Sequence, residues 1–324
     1  MKIVFAPRIA PAAEEIGQRL LPRGFDFEYL AEPNEPERRI AQLRSADFLM
    51  GFYSGRRLSP EDYDHIGAVK LIQLLSAGYD GMNLGMLREL GVPLASNGGA
   101  NSYAVAEHAI MLMMAVYRNL PGLDAALRRG EWSRGRLGEE EAHELAGRTV
   151  GVIGAGNIGT LVARRLAGFE VELIYTDPVR LTPEMAATLK MTYVEPDDLF
   201  RRADVVTLHA PGNPSTHHMI NARTLALMKP DAILINCARG ELVDEEALYD
   251  ALKERRIAGA GLDTFDPEPP LPGNPLLTLP NVVLSPHAAG PTWESWPKRF
   301  GNSYANIERV ARGEPPLWVV PELL

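Results

Sequence analysis

An arginine, two carboxylates and a histidine, Arg239, Asp263, Glu268 and His287, stand where three short apolar runs of this chain end. Ala232 to Asn236 leads into Cys237-Ala238-Arg239-Gly240, Ala258 to Leu262 leads into Asp263 and on to Asp266-Pro267-Glu268-Pro269, and Val282 to Ser285 leads into Pro286-His287. Residues of these types suit hydride transfer on an acid substrate. The arginine orients the acid and polarises its carbonyl, the histidine moves the proton, and a carboxylate favours the charged imidazolium. Each has a plainer reading alone: Arg239 as a structural ion pair, Glu268 as a solvated loop acid between prolines. Their joint occurrence at three strand ends favours chemistry.

The element that must organise them is the stretch Thr149 to Asp177, TVGVIGAGNIGTLVARRLAGFEVELIYTD. A β-branched run at Val150, Val152 and Ile153 is followed by Gly154, Gly156 and Gly159, then by a helical periodicity through Leu161, Val162, Leu166 and Phe169. A second strand, Val171 to Tyr175, ends at Asp177, which completes the context a dinucleotide fingerprint requires. Gly154 allows the turn, Gly156 admits a pyrophosphate, and Gly159 lets helix and sheet pack closely. Free N–H groups at the helix start, at Asn157 and Ile158, face the anionic phosphates. Asp177 would accept hydrogen bonds from the adenosine ribose and repel a 2′-phosphate, so NAD is expected over NADP; Arg180 nearby is the counter-argument.

Composition bounds the rest. The length of 324 residues suits about two domains, and 46% hydrophobic with 23% charged residues is ordinary for a globular protein. A net charge of -9 argues against a nucleic-acid partner, which needs a basic footprint. The one cysteine, Cys237, excludes an internal disulfide and any multi-cysteine metal site, and following an apolar strand it reads as packing. Adjacent pairs at Glu107-His108 and His217-His218 lack a patterned third ligand, so no metal is expected. The start, MKIVFAPRIA, is too short in apolar residues for a signal core, and Ala109 to Tyr117 is about half a membrane span. A cytoplasmic protein with no membrane partner is the expectation.

Read in order, the chain alternates strands and helices. Strands are expected at Lys2 to Ala6, Asp26 to Leu30, Ala46 to Phe52, Val69 to Leu75 and Val92 to Ala95, with helices at Pro11 to Leu20 and Pro36 to Arg44. The fourth of these strands runs into Ser76-Ala77-Gly78-Tyr79-Asp80, where small residues expose backbone N–H groups suited to a carboxylate. A long helix, apolar almost all round, is expected over Ala104 to Tyr117, with Asn101 or Ser102 as its cap. Pro121 to Glu144 reads as an arm. Beyond Asp177 come strands at Thr192 to Val194, Val205 to His209, Ala232 to Asn236, Ala258 to Leu262 and Val282 to Ser285, and a last helix covers Trp293 to Arg312. This is an α/β protein with two Rossmann-like domains, the larger a doubly wound parallel sheet that binds the dinucleotide. The expected division is a discontinuous substrate domain, 1–100 with 291–324, and a nucleotide domain, 101–290.

Ile235-Asn236-Cys237-Ala238-Arg239-Gly240-Glu241-Leu242-Val243-Asp244-Glu245, Gly261-Leu262-Asp263-Thr264-Phe265 with Glu268-Pro269, and Ser285-Pro286-His287 resemble the signatures of the D-isomer-specific 2-hydroxyacid dehydrogenase family. With the glycine loop they cover the nucleotide half densely, and Ser76 to Asp80 and Asn101 to His108 extend the likeness. The resemblance implies that Arg239 binds the substrate carboxylate and carbonyl with backbone N–H groups near Ala77 and Gly78. It implies that His287 is the acid/base, that Glu268 holds its tautomer, and that Asp263 accepts from the nicotinamide carboxamide. It also implies a homodimer built on the long helix and the arm. NAD-dependent interconversion of 2-oxo acids and D-2-hydroxy acids is therefore expected, glyoxylate or hydroxypyruvate reduction being the model case. Formate dehydrogenases of the same superfamily have glutamine where Glu268 stands, which disfavours that reaction. Phosphite oxidation, or NAD sensing by a corepressor-like binder without turnover, would fit the same residues. The chain departs from the family after His287: Ala289 and Gly290 stand where many members have glycine and then serine, and Pro291, Trp293 and Trp296 make the following segment bulky. Together with Tyr53, Ser54, Arg56, Tyr79 and Trp132, these tryptophans are candidates for shaping the substrate's side-chain pocket.

Overall fold

The computed structural model describes residues 1–51, 58–132 and 142–324. It divides into two compact units, Met1–Asn101 with Pro291–Leu324, and Ser102–Gly290.

Unit 1 holds a parallel sheet in the order β2-β1-β3-β4-β5, formed by β1 (Lys2–Ala6), β2 (Asp26–Tyr29), β3 (Phe48–Gly51), β4 (Leu71–Leu74) and β5 (Leu94–Ala95). Helices α1 (Pro11–Leu20), α2 (Pro36–Ser45) and α3 (Leu84–Leu90) connect the strands. Every residue of β3 and β4 is buried, as expected where both faces of a parallel sheet are covered. The last helix, which we number α11 (Ser295–Ala311), packs on α1: a Cβ at Gly17 would lie 2.6 Å from the Phe300 ring, and Tyr304 donates to the Gly17 carbonyl at 3.0 Å. Phe300, Tyr304 and Ile307 join Phe5 and Phe48 in the core, each buried side chain contributing roughly 1.5–3 kcal/mol.

Unit 2 opens with α4 (Ser102–Tyr117) and α5 (Leu120–Arg128). Its seven-stranded parallel sheet has the order β12-β11-β10-β9-β6-β7-β8, from β6 (Thr149–Ile153), β7 (Glu172–Thr176), β8 (Met191–Tyr193), β9 (Val205–Leu208), β10 (Ile233–Asn236), β11 (Gly259–Leu262) and β12 (Val282–Leu284). The connecting helices are α6 (Asn157–Leu166), α7 (Pro183–Leu189), α8 (Pro196–Arg202), α9 (Ala222–Leu225) and α10 (Glu245–Lys253). Chain order reverses between β6 and β9, which makes that edge the switch point of a doubly wound sheet. Helix α4 lies close over β11 because that strand carries glycines: a Cβ at Gly261 would approach Leu112 Cβ to 3.0 Å.

One expectation about α4 needs correction. Neither suggested cap forms, since Asn101 Oδ1 and Ser102 Oγ are buried with no hydrogen-bond partner among the described residues. Tyr103 and Met111 on this helix are about half exposed. The arm contains a regular helix, α5, none of whose residues is buried. Among the described residues no helix is long and apolar enough to cross a membrane.

Candidate active site

β10, β11 and β12 are parallel neighbours whose registers set Asn236 beside Leu262 and Leu262 beside Leu284. Their carboxyl ends share one edge, so the three following turns leave the sheet side by side. Buried Asn236 donates to the Arg239 carbonyl at 2.8 Å and accepts from the Ala238 N–H at 3.0 Å, which closes the turn that presents Arg239. At Gly240 the backbone passes so near the Phe265 carbonyl that a Cβ would overlap it. The turn after β10 thereby meets the turn after β11.

That contact sets Glu268. The Phe265 N–H donates to Glu268 Oε1 at 3.2 Å, and His287 Nδ1 lies 2.7 Å from Oε2. Burial alone would raise the Glu268 carboxyl. The His287 hydrogen bond and charge, the Phe265 amide and the nearby Arg239 guanidinium outweigh burial and hold it below the usual carboxylate range. An ionised Glu268 accepts Nδ1–H, which leaves Nε2 as the nitrogen for proton exchange.

His287 has φ +51°, a left-handed conformation that costs a side-chain-bearing residue about 1–2 kcal/mol. Asp263 holds it there. The Asp263 carbonyl accepts from the His287 N–H at 2.7 Å, and its carboxylate, 1% exposed, accepts from Ser285 Oγ at 2.6 Å, the Ala288 N–H at 2.8 Å and the Ala289 N–H at 3.0 Å. His108 Nε2, on α4, sits 2.9 Å from Ser285 Oγ; since that hydroxyl donates to Asp263, the ring nitrogen is the donor. Sequence reasoning gave His108 and Ser285 no role of this kind. Residues so far apart along the chain carry no spacing signal, and only the fold joins them.

Whether the glycine loop fits a dinucleotide is readable from its backbone. Gly154, at φ +94°, and Gly159 are packed: a Cβ at Gly154 would come 2.7 Å from the His209 carbonyl carbon, and one at Gly159 would overlap the Gly154 carbonyl oxygen. Gly156 has nothing within 4 Å of a Cβ position, so its surroundings are open where a phosphate group would need room. Helix α6 has no side-chain cap, which leaves the Asn157 and Ile158 N–H groups for an anion. Asp177 is fixed at the end of β7 by the Ala155 N–H at 2.8 Å and the Val179 N–H at 2.7 Å. The Arg180 guanidinium lies 3.9 Å over the Tyr193 ring and 3.7 Å from Glu195. The residues fit the group.

His209, beside Gly154, is pushed by burial down to about 3 and is neutral; Thr207 Oγ1 lies 3.0 Å from its Nε2. Burial first, and the Asp263 charge second, push the Cys237 thiol up, which is the state of an inert packed cysteine. His217 and His218 stack at 3.9 Å, and no group of three metal-ligating side chains occurs among the described residues.

In unit 1, the turn after β4 presents Ser76, Ala77 and Gly78. Ser76 Oγ donates to the Gly78 carbonyl at 2.8 Å, and none of the three N–H groups has an acceptor among the described residues. Tyr79 OH donates to the Glu322 carboxylate at 3.0 Å, and burial together with Glu322 pushes it up to about 12. The other pocket candidates scatter. Trp296, partly buried, packs against Phe300 of the unit 1 core, Trp132 and Trp293 are exposed, and Tyr53, Ser54 and Arg56 lie outside the described residues.

Comparison with known proteins adds to this geometry. Residues 110–289 match the profile of a family described as D-isomer specific 2-hydroxyacid dehydrogenase, NAD binding domain. The chain is 39% identical to a D-3-phosphoglycerate dehydrogenase of Methanocaldococcus jannaschii over 93% of its own length and 55% of that relative's, so it spans about half of that protein. It is 34% identical to a glyoxylate reductase of Thermococcus litoralis over 97% of this chain and 95% of the relative. A solved acyclic imino acid reductase in complex with NADPH and D-Arg superposes with a TM-score of 0.83 at 31% identity, covering 99% of this chain and all of that one.

Proposed function

This chain belongs to the D-isomer specific 2-hydroxyacid dehydrogenase family of NAD-dependent oxidoreductases, and we propose that it interconverts small 2-oxo acids and D-2-hydroxy acids, with glyoxylate and hydroxypyruvate the leading substrates. The observation that carries this reading is the 2.7 Å contact between His287 Nδ1 and a Glu268 carboxylate that Arg239 helps keep ionised.

In reduction, Arg239 holds the substrate carboxylate and polarises the carbonyl, with the Ala77 and Gly78 amides as further donors to the acid. Protonated His287 gives its Nε2 proton to the carbonyl oxygen, while Glu268 keeps Nδ1–H oriented and stabilises the imidazolium. In oxidation the neutral Nε2 takes the hydroxyl proton. The bound nicotinamide supplies or accepts the hydride. Gly156 and the Asn157 and Ile158 amides would hold its pyrophosphate, with Gly154 and Gly159 shaping the turn beneath it, Asp177 would hold the adenosine ribose, and Asp263, with three of about four acceptor positions used, the carboxamide. The ribose-facing carboxylate favours NAD over NADP.

A cytoplasmic homodimer completes the proposal. Leu120, Leu123 and Leu127 of α5 are exposed and Trp132 beyond them is 75% exposed, an apolar surface that a second copy would cover. A panel of glyoxylate, hydroxypyruvate, pyruvate and aromatic 2-oxo acids, followed by nicotinamide absorbance with NADH and NADPH, tests the activity. Consumption of NADH with at least one small oxo acid, faster than of NADPH, is expected. Binding of NADH without turnover of any acid would leave a cofactor-binding protein instead.

A further inference from the structure

We propose that Arg299, together with Asn97, is a positioning residue for the substrate's carboxylate, acting from behind the turn Leu75-Ser76-Ala77-Gly78. This rests on the reading of that turn as an acid-binding loop. In a trans peptide the C=O and the N–H point in opposite directions, so fixing one fixes the other. Arg299 Nη1 donates to the Leu75 carbonyl at 3.1 Å, and the Asn97 N–H donates to the Ser76 carbonyl at 3.0 Å. Both carbonyls are thus drawn back toward α11 and the segment after β5, and the N–H groups of Ser76 and Ala77 are turned away from them. The Gly78 carbonyl is taken up by Ser76 Oγ. What remains is a run of outward N–H groups, an arrangement that binds anions. A hydrogen bond to a peptide's carbonyl also polarises its N–H, and the bond to Leu75 comes from a charged donor.

The anchor is itself anchored. Asn97 Nδ2 donates to the Arg299 carbonyl at 3.0 Å and to Ser303 Oγ at 2.9 Å, and the Arg299 guanidinium lies 5.4 Å over the Trp296 ring. Asn97 is 1% exposed and Arg299 5%. Burying a guanidinium is costly. Docking α11 does not require it, because Phe300, Tyr304 and Ile307 already pack that helix against the sheet.

Arg299→Met, Arg299→Lys and Tyr304→Phe separate this role from plain packing. For each, KM and kcat for the best oxo acid, Ki for the unreactive analogue oxamate, NADH affinity and melting temperature are measured. Arg299→Met is expected to raise KM and Ki about tenfold each, with kcat within threefold and NADH affinity unchanged. Arg299→Lys, which keeps a charged donor, stays within about threefold of wild type in KM and Ki. Tyr304→Phe removes the hydrogen bond from α11 to the Gly17 carbonyl without touching Asn97 or either carbonyl of the turn, and changes melting temperature alone. If Arg299→Met melts lower but keeps its KM and Ki, or if KM, kcat and NADH affinity all fail together, the positioning role is overturned. Should that variant not fold, oxamate titration of the wild type followed by amide NMR decides: the Ser76, Ala77 and Gly78 resonances move, and stationary resonances reject the proposal. A wild type that reduces no oxo acid defeats the parent reading and this one with it; wild-type turnover with an unchanged Arg299→Met KM defeats this one alone.

Discussion

At the strand ends of unit 2 the polar atoms belong to side chains, Arg239, Glu268 and His287, lined up by the register of three neighbouring strands. At the end of β4 in unit 1 they belong to the main chain, the N–H groups of Ser76, Ala77 and Gly78, with buried polar side chains behind them. The two regions fail differently. In a side-chain site, chemistry is lost by changing the residue that performs it. In a main-chain site every residue type but proline supplies the N–H, so sensitivity moves to the residues that aim the peptide planes.

Substitutions can sharpen or break that contrast. Arg239→Gln removes the charged, bidentate donor and is expected to lower kcat/KM about 10³-fold, near 4 kcal/mol of transition-state binding, in steady-state assays. Glu268→Gln leaves the His287 ring without its anionic partner, and kcat is expected to fall about 10²-fold. The same pair sets an acid limit. Because the Glu268 carboxyl is lower in the folded protein than in the unfolded chain, its contribution is fully present above the ordinary carboxylate value and fades as pH falls through the lowered one. Wild-type kcat should therefore drop on the acid side of that range, and the glutamine variant should lack this limb. Ala77→Pro deletes one main-chain donor and should raise KM about tenfold with little change in kcat. An Ala77→Pro effect as large as that of Arg239→Gln would erase the distinction between the regions.

The same contrast explains what was legible from sequence. The strands of unit 2 were readable because strands covered on both faces are written as continuous apolar runs, and β6 and β10 fall within a residue of their expected bounds. The glycine loop was readable because sterics admit only glycine at Gly154 and Gly159. Helices α3 and α7 are not among the expected elements although their signals are present: Asn83 caps Met86 and Gly91 closes α3 in the left-handed conformation, and Thr182 caps Met185 at the start of α7. The clamp from His108 through Ser285 to Asp263 had no local signal, since it exists only once α4 lies on the sheet. Arg299 was equally silent. Trp296, legible as an aromatic near the histidine motif, is partly buried against Phe300 of the unit 1 core, because proximity in sequence says nothing about which way a helix face points.

His287→Ala, compared with wild type for turnover of the best 2-oxo acid and for NADH binding, tests the acid/base assignment most directly. Turnover lower by about 10²–10⁴-fold with NADH affinity preserved is the predicted result. Turnover within a few fold of wild type would contradict it, and with it the claim that the Glu268 and His287 pair carries the proton.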